Sequence, residues 1–206
     1  FNELGFHAII VCYRTSPCRY PCPQLDFIRA IQTVRSNAEK WGIIENQVIA
    51  MGFSAGGHLV TSVSGVYDEL KEMTGDLSHI SGKPDAVIGG YPMIDLKCRD
   101  FGISCDKIFL GKGYSKEMSD KLSVQNLINE NYPPMFLFSM KYDPIVPVET
   151  NCLVAEKVLN EKGVPNEVHI YRGNIHGFGL ADKLEAGQWV NQSIEFLKKN
   201  NKGLKG

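Results

Sequence analysis

The stretch QVIAMGFSAGG, residues 47–57, decides the fold. Its first seven residues form an apolar run of strand length, and small and apolar residues from 55 to 66 read as a helix. Between them lies Gly52-Phe53-Ser54-Ala55-Gly56, a G-x-S-x-G sequence extended by Gly57. A serine on such a strand-to-helix turn stands at the carboxyl end of its strand with the hydroxyl exposed. Side chains at 52 and 56 are expected to collide with the adjoining strand and helix, so those positions need hydrogen atoms. The helix aims its unsatisfied N–H groups at the same point, where they favour a developing negative charge. The Ala55 N–H is the expected oxyanion donor. A glycine-flanked serine also occurs without chemistry, but the strand–turn–helix setting favours a nucleophile at Ser54.

Outward from this turn the chain alternates short apolar runs with longer amphipathic ones. Residues 7–13 (HAIIVCY) read as a buried strand. A helix opening at Pro23 carries Leu25, Ile28, Ile31, Val34, Ala38 and Trp41 at steps of three and four, and Gly42 ends it. Further strands are expected at 86–91, 135–139 and 168–171. Helices are expected at 148–162, stopped by Gly163 with Pro165 beyond, and at 186–199. Strands separated by helices imply βαβ crossovers: an α/β fold with a mainly parallel sheet and helices on both faces. Residues 93–134 differ. They are long, polar and mixed, with Gly102, Gly111 and Gly113, and are expected to form a cap or one wall of a pocket. No repeat or linker divides the chain, so residues 1–206 read as one domain.

The chain has 206 residues, 43% of them hydrophobic, enough to bury a core without metal or disulfide staples. With 22 basic against 23 acidic side chains, there is no cationic excess to collect nucleic-acid phosphates or anionic lipid. The mean hydropathy of −0.15 and the lack of a bilayer-length apolar run argue for a soluble protein. No nucleic-acid or membrane partner is therefore expected. None of the six cysteines forms a C-x-x-C pair. Cys12 and Cys152 lie in apolar segments and read as small buried hydrophobes. Cys18 and Cys22, in a Pro-rich loop, read as reduced thiols, with a disulfide as the alternative; Cys98 and Cys105 lie in the 93–134 stretch.

A serine hydroxyl needs a base to take its proton, and after a turn of this kind the order along the chain is Ser, acid, His. His7 precedes the serine, and His58 lies four residues into the following helix, where a structural role fits better. His79 sits in a polar stretch without an evident partner, and His169 lies within a strand. His176, in Gly173-Asn174-Ile175-His176-Gly177-Phe178-Gly179, falls in a glycine-rich loop just past the last strand. Loops at the carboxyl ends of parallel strands are where ligand chemistry collects, which makes His176 the candidate base. Asp143, in Lys141-Tyr142-Asp143-Pro144, follows the strand at 135–139 and is the candidate acid. It also fits as the start of a turn ahead of Pro144. Asp95 is the rival acid, and Asp182 falls after the histidine, out of order.

GFSAGGHL at 52–59, KYDPIVPVETN at 141–151 and HGFGLAD at 176–182 together resemble the α/β-hydrolase esterases grouped with bacterial acetyl xylan esterases and short-chain acyl esterases. The resemblance continues through Tyr13-Arg14, Tyr91-Pro92-Met93-Ile94-Asp95 and Tyr132-Pro133-Pro134-Met135, and so covers nearly the whole chain. It implies an α/β-hydrolase fold and ester hydrolysis through an acyl-serine, with Ser54, Asp143 and His176 as the triad. The implied substrate is a small-molecule or carbohydrate acyl ester, and no cofactor or metal is called for. Where the family usually has two acidic residues before the proline, this chain has Tyr142-Asp143, and Asp143 matches the second.

One departure is larger. The family carries a His-Gly-Gly type loop whose N–H groups complete the oxyanion hole, and this sequence has none. Residues 1–5 resemble the tail of the fold's first helix, leading into its fourth strand. The strands at 7–13 and 47–53 would then lack the partner that lies between them, and unpaired backbone in a buried sheet is costly. The expectation is a sequence incomplete at its amino end, with the second oxyanion donor outside it; the alternative is a rearranged sheet in which the two strands pair directly. The compartment is left open: the cytoplasm is favoured, and secretion is allowed by a missing amino end. Two rival functions share these residues. One is an amide or peptide hydrolase of the prolyl-oligopeptidase-like or arylformamidase-like type; the other is a non-catalytic binding scaffold on a hydrolase fold.

Overall fold

A computed structural model of the chain describes residues 1–97, 99–100, 103–111 and 113–200; Cys98 and Gly102 lie outside the described residues. Helix α1 (Cys22–Ser36) opens with Pro23 in its first turn and is followed by the short α2 (Ala38–Trp41). Strand β1 (Ile49–Phe53) runs directly into α3 (Ser54–Leu70), and β2 (Ala86–Gly90) follows. The excursion that begins after β2 holds a short antiparallel pair, β3 (Arg99–Asp100) and β4 (Ile103–Ser104), and the helices α4 (Cys105–Leu110) and α5 (Lys116–Leu122). Then come β5 (Met135–Met140), α6 (Cys152–Glu161), β6 (Asn166–Tyr171) and α7 (Trp189–Asn200).

The main sheet has the order β1-β2-β5-β6, with every neighbouring pair parallel. The central strands β2 and β5 are buried along their whole length, as their continuous apolar sequences require when helices cover both faces. Side chains alternate across the sheet. Val87 and Leu137 face a core with Ile28 of α1, Val60 and Val63 of α3 and Leu159 of α6. Ile88, Phe136 and Phe138 face a second core with Trp189 and Phe196 of α7. The excursion is not purely polar: Ile94, Leu96, Leu122, Val124 and Ile128 from it enter the first core. No helix among the described residues is long and apolar enough to cross a membrane.

Residues 7–13 depart from expectation. They form no strand, nor do they pair with β1 as a rearranged sheet would require. His7 to Ile10 are exposed, Ile10 by 91%, and only Val11 and Tyr13 pack against the first core. An extended apolar run becomes a buried strand only when a neighbouring ladder satisfies its backbone, and among the described residues none does so for this one. Cys12 is accordingly exposed, whereas Cys152 is buried as expected; Cys18 and Cys22 are thiols with no bond between them. The segment is tied down past its end, where the Arg14 guanidinium forks onto Asp26 of α1 at 2.7 and 3.0 Å.

Candidate active site

The turn from β1 to α3 is as tight as the glycines imply. Ser54 has φ 51°, in the left-handed region that side chains avoid. A Cβ on Gly52 would stand 2.2 Å from the Gly56 carbonyl oxygen. The second close approach is at Gly57 rather than Gly56. A Cβ at 57 would meet the Pro92 Cβ at 2.7 Å, whereas at 56 the nearest neighbour, the Tyr13 hydroxyl, lies at 3.9 Å. The expected collision at 56 is thus absent: apart from that ordinary van der Waals contact, a Cβ there would meet nothing within 4 Å. The turn after β2 also bonds the serine backbone: Met93 N–H donates to the Ser54 carbonyl at 3.4 Å.

The side chains of Ser54, Asp143 and His176 meet at the carboxyl ends of β1, β5 and β6. His176 Nε2 lies 2.8 Å from the Ser54 hydroxyl, and His176 Nδ1 lies 2.7 Å from Asp143 Oδ2. The Asp143 side chain is fully buried, and that of His176 is 13% exposed. A buried carboxylate needs its lone pairs filled. Here Oδ2 faces the imidazole while Oδ1 accepts from the N–H groups of Ile145 and Val146 at 2.8 and 2.9 Å. Asp143 therefore both starts the turn ahead of Pro144 and faces the histidine. With an acceptor at Nδ1, the neutral ring carries its proton there and leaves Nε2 free to accept from the serine.

Ala55 follows at the amino end of the 17-residue α3, with no side-chain cap there. Its N–H belongs to the first turn, where helix amides lack intrahelical partners, so it is free to donate to an anion beside Ser54.

The other candidates lie elsewhere. Asp95 accepts from Lys97 N–H at 2.9 Å and from the Ser123 hydroxyl at 3.2 Å. His58 is buried under Phe109, with its Nε2 3.0 Å from the Leu122 carbonyl, and burial pushes its pKa down to about 4. It is a neutral packing residue. His7 and His79 are exposed, and His169 stacks on Phe136 within β6. Among the described residues no three His, Cys, Asp or Glu side chains converge at metal-binding spacing.

Two residues that the sequence did not single out adjoin the histidine. Tyr91, just past β2, forms a T-shaped pair with the His176 imidazole, ring centroids 4.9 Å apart, and Trp189 bonds the loop beyond it. Tyr91 shares with the other three a position after a strand's carboxyl end, a signal that was readable. Trp189 had none, since it resembles any apolar helix residue.

A family model described as BD-FAE matches residues 1–158. Endo-1,4-beta-xylanase B of Butyrivibrio fibrisolvens is 31% identical over 88% of this chain and 29% of its own length. An acetylxylan esterase of Xylanibacter ruminicola is 30% identical over 99% of this chain and 40% of its own length. The chain thus spans less than half of each of these two relatives. Among solved structures, an acetyl ester-xyloside bifunctional hydrolase from Caldicellulosiruptor lactoaceticus matches with TM-score 0.82 and 34% identity, over 91% of this chain and 69% of that one.

Proposed function

The chain belongs to the BD-FAE family and has the α/β-hydrolase fold, and from that premise we propose that it is a serine hydrolase of short-chain acyl esters. The observation that carries the proposal is the unbroken line from Ser54 Oγ through the His176 imidazole to the buried Asp143 carboxylate, with contacts of 2.8 and 2.7 Å.

In this reading the Ser54 oxygen attacks the acyl carbonyl as its proton passes to His176 Nε2. Asp143 holds the ring in the tautomer that can accept that proton and stabilises the imidazolium that forms. The carbonyl oxygen becomes an oxyanion beside the Ala55 N–H and the amino end of α3. As the bond to the alkoxide breaks, His176 returns the proton to it, the alcohol departs, and the acyl group remains on Ser54. Water, deprotonated by the same imidazole, then releases the carboxylic acid and restores the serine. The proton that departs with the alcohol is replaced from water through the same imidazole, so the cycle closes without a cofactor.

The names of the relatives support acetylated xylan or a smaller acetylated sugar as the substrate. In this reading the described residues of the 93–134 excursion form one wall of the substrate cleft. The bond from Met93 N–H to the Ser54 carbonyl supports that placement, since the excursion begins against the nucleophile.

The test is covalent capture by a fluorophosphonate, followed by peptide mapping. One label at Ser54, lost in Ser54→Ala, is expected together with hydrolysis of p-nitrophenyl acetate in preference to the matched anilide. Labelling that persists in Ser54→Ala sinks the serine mechanism, and faster cleavage of the anilide moves the assignment to amide bonds.

A further inference from the structure

Gly179 stands three residues beyond His176, and aromatic side chains from two other elements take both of its peptide groups. The Tyr91 hydroxyl accepts from the Gly179 N–H at 3.2 Å, and the Trp189 Nε1–H donates to the Gly179 carbonyl at 3.0 Å. Tyr91 follows β2 and Trp189 opens α7, so the loop is gripped from separate parts of the fold. Both gripping residues are nearly solvent-free, at 3% and 0% exposure. Each is fixed by other rings: Trp189 stacks on Phe138 at 4.4 Å, and Tyr91 packs against Phe53 at 5.7 Å.

The segment they hold has only turns of its own, closed by Ala181 N–H to the Phe178 carbonyl at 3.1 Å and Leu184 N–H to the Ala181 carbonyl at 2.8 Å. Between β6 and the short 3-10 turn Glu185–Gln188 it contains no helix or strand. Gly177, Gly179 and Ala181 all have positive φ, at 74°, 54° and 53°. Such a chain has wide conformational freedom unless something removes it. The proton transfer proposed above tolerates little of that freedom, because a misplacement of about 1 Å at a reacting group can reduce rate about 100-fold.

We propose that Tyr91 and Trp189 form a two-point clamp on Gly179 that keeps the His176 imidazole in line between Ser54 and Asp143. Both are positioning residues, because they act through the loop and not on substrate. The effect on rate rests on the serine-hydrolase reading; the grip on the loop does not. Tyr91 also lies against the imidazole in a T-shaped pair with centroids 4.9 Å apart, a contact that the experiment below leaves in place.

Tyr91→Phe removes only the hydroxyl and keeps the ring. Two quantities are read in the intact protein: the rate of fluorophosphonate capture at Ser54, and the hydrogen-exchange rate of the Gly179 amide. The variant should melt close to the wild-type temperature, capture the reagent about 10- to 100-fold more slowly, and exchange the Gly179 amide at least about tenfold faster. Slower capture with unchanged exchange overturns the clamp, because the hydroxyl then acts by another route. Faster exchange with unchanged capture overturns the positioning role, and wild-type values for both overturn the whole proposal. Should the wild-type protein itself escape labelling, the serine-hydrolase reading fails, and Gly179 exchange alone decides the grip. Trp189→Phe should loosen the same amide from the other side; if that variant does not fold, Tyr91→Phe decides.

Discussion

The Asp143 carboxylate divides its two oxygens between His176 and the turn that carries it. Oδ2 lies 2.7 Å from His176 Nδ1, and Oδ1 binds the N–H groups of Ile145 and Val146. An amide can replace the second function but not the first. In Asp143→Asn the turn keeps an oxygen, while an NH2 group faces Nδ1 and forces the ring proton to Nε2, where it blocks acceptance from Ser54. On the proposed reading, kcat for p-nitrophenyl acetate falls about 10³- to 10⁴-fold with little change in melting temperature. A loss below tenfold, measured on folded protein, would hand the acid role to another carboxylate.

The two glycines after Ala55 should respond oppositely to a methyl group. In Gly57→Ala the new Cβ stands 2.7 Å from the Pro92 Cβ, with backbone behind it, so the turn must open. Destabilisation of about 1–3 kcal/mol is expected and, on the proposed reading, lower esterase activity. In Gly56→Ala the nearest neighbour, at 3.9 Å, allows the methyl group, and alanine favours the helix by up to about 1 kcal/mol over glycine. Urea unfolding of both variants checks this, and equal losses would contradict the geometry.

What was readable beforehand follows from how each element is specified. Strands β2 and β5 announce themselves because a strand covered on both faces must be apolar throughout. The meeting of Ser54, Asp143 and His176 was legible because each follows the carboxyl end of a strand, and a parallel sheet gathers those ends on one edge. The run at 7–13 misled because composition reports the tendency to extend, while burial depends on a neighbour that composition does not contain. The grip of Tyr91 and Trp189 on Gly179 was hidden for a related reason. It uses the polar ends of aromatic residues whose apolar bodies already account for their presence in the core.

The strain at Ser54 predicts a stability difference that activity cannot report. Its φ of 51° suits glycine better than any residue with a Cβ. Ser54→Gly should therefore be more stable than Ser54→Ala by about 1 kcal/mol, although neither retains the proposed nucleophile. Thermal or urea unfolding of the two variants side by side measures it. Alanine matching glycine would mean that the turn relaxes once the hydroxyl is gone.

His58 gives the fold a pH dependence separate from that of the reaction. Burial lowers its pKa from 6.5 to about 4, opposed in part by its bond to the Leu122 carbonyl. Between those values the unfolded chain binds a proton that the folded protein does not, so stability is full above about pH 6.5 and falls as pH drops toward 4. From pH 7.5 to pH 5 the histidine alone should remove on the order of 2 kcal/mol. His58→Gln, which can keep a donor toward Leu122 but does not titrate, isolates this share from that of the carboxylates. Urea midpoints for both proteins at the two pH values test it. The wild-type midpoint should drop further than that of the variant, and parallel drops would mean that the ring takes up its proton without leaving the core.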